Sequence, residues 1–215
     1  MFNQISFEVK TKATLFLLII SLFILSCNQQ SQKEDLQTIN SLKTTIEGEL
    51  IANAKYWAYA AKADEDSLAK IATLFRASAI AEKAHADRQI TMLMGLNGHM
   101  AQFAPKFPAY SIEENIKDAI EVENYEAEDM YPGFIVISKE EGLEDVTETF
   151  EWALKAEIKH RDMFRLALAS LDDPSIELPE AYLVCPRCGN TMDAEHSSDP
   201  CDICENDAAK FVEVK

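Results

Sequence analysis

The sequence predicts an all-α four-helix bundle with a small four-cysteine domain appended at its C-terminus. Three observations carry this reading. Four long segments place apolar residues at helical spacing, two of them contain the pattern Glu-x-x-His, and two Cys-x-x-Cys pairs come after the point where helical periodicity stops.

Taken in order, residues 1–27 read as a targeting segment. Lys10 and Lys12 precede the apolar run Ala13–Leu25, which suits a signal peptide better than a bilayer span. The run closes on Ile24-Leu25-Ser26-Cys27, which resembles a bacterial lipobox whose cysteine is lipidated; the alternative is an uncleaved anchor with an incidental cysteine. In either case the lysines stay inside and the rest of the chain is exported. Residues 28–35 form a polar tether.

The bundle is expected over residues 36–172. Its first segment runs from about Leu36 to Lys62, with Ile39, Leu42, Ile46, Leu50, Asn53 and Trp57 at helical spacing. The second opens near Ser67, an N-cap candidate, and fades at Gly95 and Gly98. A long connection with Pro105 and Pro108 leads to the third, which opens on the capping box Ser111/Glu114 and ends at Gly142. Pro132 should bend this helix rather than end it, since apolar periodicity continues through Phe134 and Ile137. The fourth spans about Leu143 to Leu171. Two helix pairs joined by one long crossover is the connectivity of a ferritin-like bundle. Residues 173–182 are a linker, and residues 183–215 are too few to hold a core unaided, so metal at the cysteines is expected to staple them.

Composition narrows the partners. With 37 Asp+Glu against 20 Lys+Arg the formal charge is −17, and no basic cluster occurs after residue 12, which excludes a polyanion footprint. Of the five cysteines, Cys27 belongs to the leader. Cys185, Cys188, Cys201 and Cys204 are spaced C-x2-C, twelve residues, C-x2-C, which fits a tetrahedral sulfur site for iron or zinc.

The helices supply a second metal-binding set. Glu49 lies on the first, Glu82 and His85 on the second, Glu123 and Glu126 on the third, Glu157 and His160 on the fourth. Residues three apart share a helix face, so each Glu-x-x-His projects a carboxylate beside an imidazole. One Glu from each of two helices plus Glu-x-x-His from the other two is the arrangement that holds a pair of iron or manganese ions. The repeat arises because two ions need two similar half-sites. Without metal, five carboxylates facing a core would bear a severe desolvation cost. Glu128, Asp129, Glu140 and Glu141 read as solvated, and His99 and His196 are assigned to no metal.

With these residues placed, the chain from Glu49 onward resembles the rubrerythrin family, a ferritin-like diiron domain followed by a β-rich rubredoxin-like domain. The motifs that carry the resemblance are "GELIANAKY", "EKAH", "ENYEAEDMYP" and "EIKH". It implies that Glu82 and Glu157 bridge two irons, that Glu49 and Glu126 belong to one and Glu123 and His160 to the other. It also implies that His85 trades places with a carboxylate when the redox state changes, and that Tyr56 and Tyr131 hydrogen-bond the ligands. Departures are Ala84 in place of a charged residue, Asn190 in place of an aromatic one, Glu205 in place of the second knuckle's glycine, and the leader itself.

The implied function is a peroxidase that reduces hydrogen peroxide to water, with electrons relayed through iron at the four cysteines. The alternative is a ferroxidase or iron-binding protein with a structural zinc there. Expected partners are hydrogen peroxide, an extracytoplasmic or membrane-linked electron donor, a membrane through the lipid anchor, and further copies of the chain.

Overall fold

The computed structural model describes residues 36–195, 197 and 199–215. Residues 1–35, which hold the expected leader, the expected lipidation site Cys27 and the expected tether, lie outside the described residues, as does His196.

Helix α1 spans Gln37–Glu65 and α2 spans Ala69–Gly95. The turn between them is tight, with Leu68 N donating to Ala63 O at 2.8 Å, so the two helices run antiparallel. Ser67 does not cap α2. It takes the left-handed conformation, φ 62°, inside the turn, and Leu68 occupies the N-cap position. The N-terminus of α1 has no side-chain cap of its own either. Glu141, read from sequence as solvated, accepts from Gln37 N at 2.7 Å and Thr38 N at 3.1 Å, satisfying two of the free N–H groups a helix start leaves.

After the crossover, α3 spans Ile112–Tyr125 and opens on the expected capping box, with Ser111 and Glu114 bonded reciprocally. It passes without interruption into a π-helical turn, Glu126–Met130, and then into α4, Tyr131–Glu140. Pro132 cannot donate the backbone bond an α-helix needs, and the wider turn just before it absorbs the mismatch. Gly142, φ 69°, closes this run, and α5 spans Glu144–Ser170.

Beyond the bundle, three short antiparallel strands form one sheet. They are β1 (Tyr182–Val184), β2 (Thr191–Asp193) and β3 (Val212–Val214), in the order β2-β1-β3. Tyr182, Val184 and Val214 join Leu178 in the same apolar cluster as Tyr56, Phe75 and Phe164, so the sheet packs directly on the bundle. A second cluster, with Leu42, Ile46, Leu93, Tyr131 and Phe150, fills the opposite half. The polar ligand candidates lie between these two cores. Trp57 departs from the sequence pattern: it is 46% exposed, and its neighbour Tyr56 is the buried aromatic. Among the described residues no helix is long and apolar enough to cross a membrane.

Candidate metal centre

All seven acidic and imidazole candidates are buried, at 3% exposure or less. Their ligand atoms form two groups, Glu49/Glu82/His85/Glu157 and Glu82/Glu123/Glu157/His160, with the atoms in each within 4.8 Å of one another. Glu82 and Glu157 belong to both. Glu126 is in neither: one of its oxygens faces Gly48, where an added Cβ would meet Oε1 at 3.7 Å. His85 takes the fourth place in the first group instead.

The two imidazoles are oriented alike. His85 Nε2 lies 2.9 Å from Cys188 O, and His160 Nε2 lies 3.2 Å from Gly189 O and 3.0 Å from Thr191 Oγ1. A carbonyl only accepts, so each Nε2 carries the hydrogen and each Nδ1 turns toward the carboxylates. His85 Nδ1 stands 3.0 Å from Glu82 and 2.8 Å from Glu157, and His160 Nδ1 stands 2.7 Å from Glu157. A metal-binding histidine is commonly held in this way, one nitrogen on the ion and the other donating to a backbone carbonyl. The carbonyls here belong to the first cysteine knuckle, so the C-terminal domain fixes the tautomer of the bundle's histidines.

Tyrosines secure the carboxylates. Tyr56 Oη donates to Glu123 Oε1 at 2.6 Å, and Tyr131 Oη donates to Glu49 Oε1. Gln89, fully buried, donates through Nε2 to Tyr131 Oη at 2.7 Å, which leaves that hydroxyl's hydrogen for Glu49. Gln89 escaped the sequence reading, although its place one turn after His85 on the same helix face was a signal for it. Burial, and the carboxylates around them, hold both tyrosines well above their ordinary pKa, so they remain donors.

The electrostatics call for cations. Burial pushes Glu49 up to about 7 and raises Glu123 and Glu126 well above the carboxylate range. Burial acts on Glu157 as well, yet the His85 and His160 imidazoles beside it hold it down to about 2. For the histidines burial disfavours charge, but Glu157 beside His85 and Glu82 beside His160 outweigh it, and both are raised. Apart from the imidazole Nδ1 atoms, which face them without a hydrogen of their own, each of the five glutamates keeps one buried oxygen without a hydrogen-bond partner: Glu49 Oε2, Glu82 Oε1, Glu123 Oε2, Glu126 Oε2 and Glu157 Oε1. Lone pairs left without a donor in a water-excluded layer are costly, and a pair of divalent ions would supply both the positive charge and the Lewis acid to receive them. The donor set of oxygens with two imidazoles fits iron or manganese.

The four cysteines are buried thiols gathered at the base of the sheet. Cys185 Sγ lies 3.6 Å from Cys204 Sγ, and Cys188 Sγ lies 3.7 Å from Cys201 Sγ. A tetrahedron with metal–sulfur bonds of about 2.3 Å has edges of about 3.8 Å, so the residues fit a single thiolate-bound ion. Trp152 of α5 packs on this cluster, with Arg187 on its ring at 4.5 Å and Arg88 at 5.4 Å. Nothing in the sequence marked Trp152.

A ferritin-like bundle with a carboxylate–histidine dimetal layer, closed by a small sheet holding a four-cysteine site, defines a diiron-type protein with an appended thiolate-metal domain. The rubrerythrin family model matches residues 40–168, and the chain belongs to the rubrerythrin family. Among curated relatives, nigerythrin of Nitratidesulfovibrio vulgaris is 33% identical over 78% of this chain and 81% of its own length. Rubrerythrin of Porphyromonas gingivalis is 29% identical over 83% and 90%. The structure of nigerythrin in its fully reduced, all-ferrous state superposes with a TM-score of 0.74 at 32% identity, covering 82% of this chain and 86% of that one.

Proposed function

We propose that this protein reduces hydrogen peroxide to water at the dimetal layer and is recharged one electron at a time through the four-cysteine site. The observation that supports this most directly is the pair of contacts from Cys188 O and Gly189 O to the two ligand histidines, because a protein that only stored or oxidised iron has no need to press a thiolate site against its metal ligands. Held by these residues, two ferrous ions would supply the two electrons that peroxide cleavage consumes, H2O2 + 2 e− + 2 H+ → 2 H2O. Glu82 and Glu157, common to both groups, would hold both ions. Glu123 and His160 complete one side, and Glu49 with His85 the other. Glu126 would be the carboxylate with which His85 trades places. Tyr56 and Tyr131 keep Glu123 and Glu49 from rotating when the charge between them changes, which limits the reorganisation each electron transfer requires. The Nε2 hydrogens of both histidines are engaged by the knuckle, so the protons for water come from elsewhere in the layer or from solvent.

The test is a competition. Fully reduced protein is mixed with hydrogen peroxide or with oxygen, and oxidation is monitored at both sites. Faster oxidation by peroxide, with repeated turnover when a one-electron reductant is present, supports the peroxidase. Oxidation by oxygen that outruns peroxide supports iron handling instead.

The leader supports a further reading, that the chain is an exported lipoprotein anchored through Cys27 and charged by a membrane-linked or extracytoplasmic donor. Membrane fractionation of wild type and Cys27→Ser tests it: release of the variant, or retention of its leader, is expected. Wild-type protein in the cytosol overturns it.

A further inference from the structure

The two cysteine knuckles share a pattern longer than Cys-x-x-Cys. Cys185-Pro-Arg-Cys188-Gly189-Asn190 and Cys201-Asp-Ile-Cys204-Glu205-Asn206 both read C-x2-C-x-N. The backbones match: Cys185 N donates to Asn190 O and Cys201 N to Asn206 O, each at 2.9 Å, and Gly189 and Glu205 both have positive φ, 72° and 58°. The asparagines therefore occupy equivalent positions. Each aims its amide at a sulfur of the opposite knuckle, Asn190 Nδ2 at Cys201 Sγ, 3.4 Å, and Asn206 Nδ2 at Cys185 Sγ, 3.5 Å.

Among the described residues, the first is wired to the bundle. Asn190 is fully buried, and its Oδ1 accepts from Lys159 Nζ at 2.9 Å. Lys159 stands next to His160 on α5. It also binds Asp202 Oδ2 at 2.7 Å, while Asp202 Oδ1 accepts the second Asn190 hydrogen at 2.6 Å. The ammonium thus polarises the amide that faces the sulfur and neutralises the carboxylate beside it. A charge-assisted bond of this kind is about twice as strong as a neutral one.

We propose that Lys159 and Asn190 form a tuning pair that raises the reduction potential of iron held by the four cysteines, set from the same helix that carries Glu157 and His160. Reduction adds one electron and no proton: an Fe(III) tetrathiolate of net charge −1 becomes an Fe(II) tetrathiolate of net charge −2. An N–H dipole on a sulfur, backed by a cation, stabilises the more negative state more, and hydrogen bonds to sulfur are among the factors that set such potentials. A raised potential lets weak one-electron reductants charge the site. The proposal rests on iron, rather than zinc, occupying the four cysteines.

The experiment is a dye-mediated redox titration of the iron-loaded full chain, read from thiolate-to-Fe(III) absorption. Lys159→Met keeps the aliphatic stem of a residue that is one-third exposed and removes the charge; Asn190→Leu removes the amide at similar volume. Each is expected to shift the reduction equilibrium about tenfold toward Fe(III), about 59 mV lower for one electron. Adding Asp202→Asn to Lys159→Met should recover part of the shift, which a merely structural role of the lysine would not do. Both single variants within twofold of wild type overturn the proposal. A readout independent of iron is the scalar coupling, across Cys201 Sγ, between the Asn190 amide hydrogen that faces it and a magnetic cadmium nucleus loaded in the four-cysteine site. Its absence in wild type also overturns the proposal. Neither measurement involves peroxide, so their failure is distinct from failure of the peroxidase reading, which turnover decides.

Discussion

At the residue scale, the dimetal layer depends on groups that serve two ions at once. Glu82 and Glu157 are the shared members, so Glu82→Ala or Glu157→Ala is expected to remove most bundle iron and the proposed peroxidase activity while metal stays at the cysteines. Metal content per chain checks this, and stoichiometric bundle iron in both variants would refute the assignment. Gly189 is the residue at which the two sites meet. Its φ of 72° is costly for other residues, and a Cβ there would fall 2.0 Å from His85 Nε2. Gly189→Ala therefore has to lift the knuckle off the histidines. The expected result is normal metal content at the cysteines, at least tenfold slower electron delivery to the bundle, and a loss of about 1–2 kcal/mol of stability from the left-handed alanine. Unchanged delivery would show that the contact carries no electrons.

At the element scale, the third bundle helix is the one whose geometry the ligands need most. The π turn Glu126–Met130 lies between Glu123 and Tyr131, which serve opposite sides of the layer. An extra residue within a helix rotates the downstream part by roughly 100°, so the turn sets where Tyr131 points relative to Glu123. Deleting Ala127 is expected to restore regular α-helix and carry Tyr131 away from Glu49. Far-ultraviolet circular dichroism should stay near wild type while bundle iron falls by at least half. Full iron content in the deletion variant would mean that the turn accommodates Pro132 and nothing more. Other elements are positioned by distant parts of the chain, as when Glu141 caps α1 across the end of the bundle.

At the scale of the whole molecule, the arrangement makes the C-terminal domain part of the bundle's active layer. Its sheet shares an apolar cluster with Tyr56 and Phe164, and its knuckle closes the layer over His85 and His160. Cys188→Ser should keep bundle iron and consume one equivalent of peroxide, yet fail to turn over with an external reductant. Single-turnover and steady-state assays on one preparation separate the two, and sustained turnover would show that electrons bypass the cysteines.

The sequence by itself determined the bundle, its crossover, and the acidic, imidazole and thiol residues that folding brings together, because helical periodicity places Glu-x-x-His pairs on one face and the cysteine spacing matches a tetrahedral site. Both are local patterns, readable wherever neighbours in sequence act together. Features that depend on residues far apart were not legible. Ser67 looked like a cap but sits in a left-handed turn, since the closure from α1 to α2 decides its backbone. Trp57 matched the apolar spacing, yet the packing buries Tyr56 beside it. Glu141 resembled any surface acid until folding brought α1's free N–H groups to it. Asn190 and Glu205 were visible only as departures from a family pattern, while the repeated C-x2-C-x-N was there to be read. Only the tertiary structure decided that a His85 nitrogen, rather than a Glu126 oxygen, lies within 4.8 Å of the Glu49, Glu82 and Glu157 oxygens, and that the cysteine knuckle supplies the carbonyls that orient both histidines. Those outcomes are set by how a 33-residue domain docks on a bundle, and docking is a sum of contacts that no single stretch of sequence contains.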